Sequence, residues 1–305
     1  LGKLFSVVIA AYNRENYLRR TIDSVLNQDF KDYEFIVVDD GSTDQTWDII
    51  QSYGKQINSF RQTNQGSEAA FRKGASLATG KYIAFLDSDD LFLPNTLSVY
   101  RRFIIEPDPP ALILGSMRRF TDENDSALAT PESGRIEFFA FRDYLSKRIS
   151  MGMAQSIIVI KRAVFEEIDK AFKRQSAFLF NYDYNLMLQA GTHGPCIILR
   201  RPVTVAYRQH ADQNSRRVEK MAEGVLSLIT MVRTGHCYGG RNRIFDKYAY
   251  LGGPIIEWVN KSIEAKKMKL AVSLLINGWP MIAAAIAKKT FFRFGRTAPR
   301  LLSKE

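Results

Sequence analysis

The sequence predicts an α/β protein in which a mixed, mainly parallel sheet is flanked by helices and followed by a helical C-terminal appendage. Three observations predict it. Apolar, β-branched runs alternate with stretches of helical spacing through the first hundred or so residues, the order of a wound parallel sheet. Each of those runs ends in polar or acidic residues, and from about residue 216 onward helical patterns dominate.

Taken in order, "FSVVIAA" reads as a buried strand, and the stretch after it carries helical spacing at Leu18, Ile22, Val25 and Leu26. "YEFIVVDD" is a second buried strand, after which Ser42 or Thr43 offers a helix N-cap and Gly54 a stop. The polar "RQTNQG" leads into a helix across "EAAFRKGASLA", a turn at Thr79 and Gly80, and the strand "KYIAFLD". Beyond it "PALILGSM", "SIIVIKR" and "GPCIILRRPVTVAYRQH" read as strands, and "RAVFEEIDKAF" and "FNYDYNLMLQAG" as helices. A boundary near residue 215 separates a sheet domain, 1–215, from a basic helical region, 216–305. Within the sheet domain a regular half, about 1–105, precedes a less regular one, about 106–215.

Ligands of such sheets bind in the crevice at the carboxyl ends of the strands. Tyr12 and Asn13, Asp39 and Asp40, and Asp87 with Asp89 each follow directly on a different predicted strand. These residues are therefore expected to converge at one edge.

Composition narrows the alternatives. At 305 residues and 46% apolar the chain can bury a large core. Its two cysteines, Cys196 and Cys237, exclude a disulfide framework and are expected as buried thiols. The opening "LGKLFSVVIAAYN" runs straight into a strand and does not read as a signal peptide. The longest apolar run, 270–287, is interrupted by Asn277, Gly278 and Pro280, so two packed helices joined by a turn are expected there in place of a membrane span. Net charge is +11, and residues 261–305 hold ten Lys or Arg against two Glu, interleaved with Phe291, Phe292 and Phe294. Peripheral contact with an anionic membrane through Lys288, Lys289, Arg293 and Arg296 is one reading of this patch, and packing against the sheet domain is the other. No recognised nucleic-acid module accompanies the charge, so nucleic acid is not an expected partner.

The stretch "YIAFLDSDDLFLP" carries the chemistry. It places Asp87, Asp89 and Asp90 against an apolar strand, although like charges repel and each loses hydration on burial. A divalent cation removes that objection. Alternate residues at a strand end share a side, so Asp87 and Asp89 are expected to face one cavity while Ser88 points away. Two carboxylates completed by waters and phosphate oxygens suit Mg²⁺ or Mn²⁺. An acidic turn that caps the next helix would use the same residues.

The ordered set "SVVIAAYNRENYLRRTIDSVLNQ", "FIVVDDGSTDQT" and "NQGSEAAFRKGASLATGKYIAFLDSDD" resembles the family 2 glycosyltransferases, an inverting group with the GT-A fold. The likeness is dense over about residues 4–100 and looser through "KRAVFEEI", "YDYNLMLQAG" and "VAYRQHADQNS", to about residue 215. It implies a Rossmann-like GT-A sheet, a nucleotide-sugar donor that is UDP-linked by preference, Mn²⁺ or Mg²⁺, and a glycan or lipid-linked acceptor. Tyr12 resembles the aromatic that lies against the base, with the Ala10 and Ala11 backbone beside it and Asn13, Arg14 and Ser88 in the same nucleotide site. Asp40 resembles the carboxylate that accepts from the uracil N–H, with Asp39 close by, and Asn64 and Gly66 keep the family's donor loop. Asp89 resembles the metal ligand, Asp87 lies nearer the ribose or sugar, and His210 can reach the metal or diphosphate. Asp183 resembles the general base, which takes a proton from the acceptor hydroxyl as that oxygen attacks the anomeric carbon.

Two positions depart from the family pattern. After "NQG" the family commonly has Ala-Arg-Asn where this chain has Ala70, Phe71 and Arg72, and Tyr182 stands where a Glu usually precedes the Asp. These departures raise the alternative of a catalytically silent sugar-nucleotide-binding protein. A dinucleotide-dependent oxidoreductase is a poor reading, because no G-x-G-x-x-G follows the first strand. The expected location is cytoplasmic, peripheral at the inner membrane face.

Overall fold

A computed structural model describes residues 2–122, 134–172, 181–213, 216–294 and 300–304. Nine strands form one sheet in the order β12 (Leu302–Lys304), β8 (Ile136–Phe141), β10 (Cys196–Arg201), β6 (Leu112–Leu114), β9 (Ile158–Lys161), β4 (Tyr82–Asp87), β1 (Phe5–Ala11), β2 (Tyr33–Asp39) and β3 (Asn58–Arg61). The ladders from β4 to β3 are all parallel, as the alternating sequence pattern demands. The other half is mixed: β9 runs antiparallel to both β4 and β6, and β8 antiparallel to β10 and β12. A second sheet of three strands, β5 (Leu91–Phe92), β11 (Val205–Arg208) and β7 (Met117–Phe120), sits beyond the carboxyl end of β4.

Every residue of β1 is buried, since parallel strands covered on both faces have no solvent side. The helices α1 (Leu18–Leu26), α2 (Thr46–Ser52), α3 (Ser67–Ser76) and α4 (Thr96–Ile104) connect the first half, and α5 (Arg162–Phe172) and α6 (Tyr182–Ala190) the second. β3 escapes sequence reading because "NSFR" is an edge strand that buries none of its four residues. The strands read in "PALILGSM" and "GPCIILRRPVTVAYRQH" each divide in two, because the chain leaves the large sheet for the small one within each run.

The C-terminal region is α7 (Val218–Thr234), α8 (Ile244–Glu264) and α9 (Met268–Phe294), with a short return to the sheet at β12. The expected turn at 277–280 does not form: one helix runs through Asn277, Gly278 and Pro280. Its glycine serves close packing. A Cβ at Gly278 would lie 2.9 Å from Ile255 Cδ1, and one at Gly252 would lie 2.5 Å from the Met281 carbonyl, so each helix of the α8–α9 hairpin meets its partner through a glycine. Met268–Phe291 is long and apolar enough to cross a membrane by length and composition, with 28% of its apolar 18-residue window buried inside the protein.

Lys288, expected in the cationic patch, points inward and donates to the Leu145 carbonyl (2.5 Å) and to Asp246 Oδ1 (2.7 Å). Arg296 and the side chains of Phe292, Arg293 and Phe294 lie outside the described residues. Both cysteines are free and buried, as expected.

Candidate functional site at the carboxyl edge of the sheet

Strand register brings the predicted residues together. Ala11 lies opposite Asp39 and Ala10 opposite Asp87, so Tyr12, Asp39 and Asp40, and the turn after β4 meet at one edge. Ala10 and Ala11 are buried and Tyr12 is 42% exposed, its ring open to the crevice. Asn13 takes a left-handed φ of 51°, which Asn tolerates better than most residues. Its backbone N–H donates to Ser42 Oγ (3.0 Å) and its Oδ1 accepts from the Thr43 N–H (2.9 Å), pinning the segment after β1 to the loop after β2. Arg14 is thereby aimed across the crevice, where its Nε donates to Asp89 Oδ2 at 3.2 Å.

Asp39 and Asp40 have different duties. Asp40 is buried, and its oxygens accept from Gln62 Nε2 (2.8 Å), the Gln65 N–H (2.9 Å) and the Gly66 N–H (2.8 Å). It clamps the 62–66 loop and keeps about one of a carboxylate's four acceptor positions. Asp39 is fully buried, holds the Ser42 N–H at 3.2 Å through Oδ1, and turns Oδ2 to the Arg61 guanidinium, whose Nε lies 3.0 Å away. Gly41 allows the close approach of this loop, since at φ 73° a Cβ would stand 2.8 Å from the Asn64 N. Asn64 is exposed, and Gly66 takes a φ of 90° ahead of α3.

The aspartate turn alternates as the strand pattern implies: Asp87 and Asp89 are partly exposed, whereas Ser88 and Asp90 are buried. The Ser88 carbonyl accepts from Thr21 Oγ1 at 3.0 Å. Burial, then the charges of Asp89 and Asp183, push Asp87 up to about 7. Burial would raise Asp89 too, but the hydrogen bond to His210 and the charge of Arg14 hold it below the usual carboxylate range. Asp90 is raised well above that range by burial and by its two acidic neighbours. Ser156 makes this tolerable. Its hydroxyl sits 2.5 Å from Asp90 Oδ2 and 3.2 Å from Asp87 Oδ2 while accepting the Asp87 N–H at 3.0 Å. One hydroxyl proton cannot serve two ionised carboxylates, so a neutral Asp90 completes the arrangement.

His210 reaches Asp89 because β11 pairs antiparallel with β5, Ala206 opposite Leu91. Arg208 fixes that approach. Fully buried, it donates its backbone N–H to Asp90 Oδ1 (2.9 Å) and its Nε to the Asp89 carbonyl (2.7 Å). His210 Nε2 then lies 3.0 Å from Asp89 Oδ2, its ring against Tyr17 at 4.3 Å between centroids, with Nδ1 buried and without a hydrogen-bond partner among the described residues. Arg208, Tyr17 and Ser156 escaped sequence reading. Arg208 stands in the quoted "YRQH", but nothing local marks Ser156.

Asp89 and His210 are two donors of the kind a hard cation accepts, and among the described residues no three His, Cys, Asp or Glu side chains form a metal cluster. The pair fits Mg²⁺ or Mn²⁺ bound jointly with a diphosphate rather than in an all-protein cage.

Asp183 stands in the first turn of α6, whose N-cap is Asn181, so it does not cap the helix. Its Oδ1 accepts the neighbouring Tyr184 N–H (2.8 Å), and burial pushes it up to about 6. The C-terminal helices brace this turn. Asn181 Nδ2 donates to the Met221 carbonyl of α7 (2.8 Å), Tyr250 of α8 donates to the Tyr184 carbonyl (3.2 Å), and Tyr184 donates to Glu257 (3.2 Å).

The two departures noted in the sequence touch each other. Phe71 and Tyr182 are buried and stack with centroids 6.0 Å apart and planes 11° apart, and Phe85 meets both edge-on. Arg72 turns to α5, its Nε donating to Asp169 Oδ1 at 2.8 Å.

Comparison with known proteins agrees with this architecture. The family model described as glycosyl transferase family 2 matches residues 6–169. An uncharacterised glycosyltransferase of Nostoc is 40% identical over 129 residues, covering 40% of this chain and 39% of its own. Glycosyltransferase GlyG of Streptococcus pneumoniae is 29% identical over 182 residues, 55% of this chain and 60% of its own. The match thus spans less than two thirds of the length of these curated relatives. TarS of S. aureus in complex with UDP-GlcNAc aligns at a TM-score of 0.56 and 17% identity over 98% of this chain and 96% of that one. A mannosyltransferase of Pyrobaculum calidifontis in complex with GDP-Man and Mn²⁺ aligns at 0.51 and 16% over 97% and 89%. At such identities the likeness speaks for the fold. Since the family model covers more than half of a chain with the GT-A architecture, the chain belongs to glycosyl transferase family 2.

Proposed function

We propose that the protein transfers a sugar, with inversion, from a UDP-linked donor to a hydroxyl of a glycan or lipid-linked acceptor, assisted by Mn²⁺ or Mg²⁺. The observation that carries this reading is Asp183, a half-buried carboxylate raised to about 6, near enough to Asp87 to raise it in turn. A base of that strength is ionised at neutral pH and still binds a proton well.

Tyr12 stacks on the uracil, and Asp40 accepts from its N–H beside the three bonds it makes to the 62–66 loop, with Asp39 close by. Asp87 faces the ribose or sugar. Asp89 and His210 hold the cation, which when bound neutralises charge on the departing diphosphate. Arg14 adds a positive charge on the same side. Asp183 takes the acceptor's proton as the acceptor oxygen bonds to the anomeric carbon and the pair from the breaking C–O bond goes to the diphosphate. The chain carries every one of these groups alongside the Phe71–Tyr182 stack, which favours an enzyme over a silent binder. A thermal-shift panel of nucleotide sugars with and without Mn²⁺, followed by transfer assays on the best donor, tests the reading. A donor that binds yet is neither transferred nor hydrolysed would support the silent binder.

A further inference from the structure

Among the described residues, seven of the thirteen exposed large apolar side chains sit on α9. At 3.6 residues per turn, Met268, Val272, Leu275, Ile276, Trp279 and Ile286 fall within a sector of about 100°. The opposite face, with Ala271, Leu274, Gly278 and Met281, is buried. The charges on this helix have one sign: α9 holds four basic residues and no acidic one. Lys269 and Lys289 are exposed at the two ends of the stripe, and Lys266 is exposed just ahead of it. Within the helix the Asn277 amide turns back on the Ser273 carbonyl (2.8 Å).

We infer that this face docks on an anionic lipid bilayer, with α9 lying in the plane of the interface. The apolar stripe enters the acyl boundary while the flanking lysines reach phosphate headgroups, the division of labour of interfacial helices. Spanning is disfavoured by packing, because the inner face of α9 is covered by α8, whose exposed Glu257, Asn260 and Glu264 would be drawn into hydrocarbon. A second copy of the chain is disfavoured by charge, because antiparallel pairing of two such helices brings lysine against lysine with no acid from either. The inference does not depend on the transfer reaction.

The test uses the full chain with vesicles of phosphatidylcholine alone and of phosphatidylcholine containing phosphatidylglycerol. Binding is expected to be about a hundredfold stronger to the anionic vesicles, three lysines each contributing near the surface. Trp279 should shift to the blue and be quenched by brominated acyl chains, whereas Trp258, 1% exposed, should not respond. Trp279→Glu should weaken vesicle binding at least about tenfold, and Lys269→Glu with Lys289→Glu should abolish the anionic preference. Both sets of changes are at exposed positions, so UDP affinity and Tm should stay parental. Parental vesicle binding by Trp279→Glu, or no blue shift on anionic vesicles, overturns the inference. So does resistance to extraction by high salt and alkali, which assigns a spanning helix. A concentration-dependent dimer lost in Trp279→Glu overturns it too, assigning the face to a second copy.

Discussion

The turn at 87–90 and the outer face of α9 both break the usual sorting of charge inward and outward, in opposite directions. The turn gathers three carboxylates at the rim of the core, and Arg14, His210, Ser156 and Arg208 offset only part of the repulsion, since Asp87 is still pushed up to about 7. The helix leaves hydrocarbon in water, at about 25 cal/mol for each Å². The difference teaches how far each anomaly can be read. Polar groups are directional, so their partners define a geometry and hence a chemistry. Apolar contact is not, so the face identifies a kind of phase and its charge sign, but no single molecule.

The comparison breaks most severely at Asp183. Asp183→Asn keeps the shape but cannot take a proton, and transfer should fall by roughly 10² to 10⁴ with UDP affinity little changed. Near-parental turnover would remove Asp183 from the mechanism. At the turn itself, Asp89→Ala should lose the Mn²⁺-dependent part of UDP affinity, at least about tenfold, as should His210→Ala. Calorimetry finding equal metal dependence in variant and parent would sink that assignment, and vesicle binding by both variants should remain parental if the two regions act separately.

A pH profile sharpens the same contrast. Asp183, raised to about 6, must be ionised to act, so transfer should decline as pH falls through that value, about tenfold per unit below it, while UDP affinity measured in parallel does not follow that limb. Survival of this limb in the residual activity of Asp183→Asn would assign it to another group. The smallest effect is expected at the aromatic pair. Among the described residues the buried Tyr182 hydroxyl has no hydrogen-bond partner, so Tyr182→Phe should be neutral or stabilising by up to about 1 kcal/mol, with transfer retained. Phe71→Ala should instead cost about 3–5 kcal/mol as a cavity opens beside Phe85 and Tyr182. A destabilised Tyr182→Phe would show that the hydroxyl has an unrecognised partner.

The sequence by itself determined the wound half of the sheet and the residues gathered at its edge. Buried parallel strands are written as apolar runs, and each strand's last residue is followed by its functional group, so Tyr12, Asp39, Asp87 and Asp89 were legible from order alone. Asp183 and His210 were legible only through motif likeness, because their approach depends on α6 and on the β5–β11 pairing across more than a hundred residues. Tertiary structure decided what pattern cannot encode. Asp39 and Asp40 are adjacent and chemically alike, yet a loop 22–26 residues later engages Asp40. Phe71 and Tyr182 looked like two separate departures until folding stacked one on the other. Gly278 and Pro280 read locally as a turn, but burying the α8–α9 seam through reciprocal glycines outweighed the local preference, and one continuous helix resulted. Local pattern records what a segment prefers against water, whereas these outcomes were fixed by contacts between segments that the sequence holds far apart.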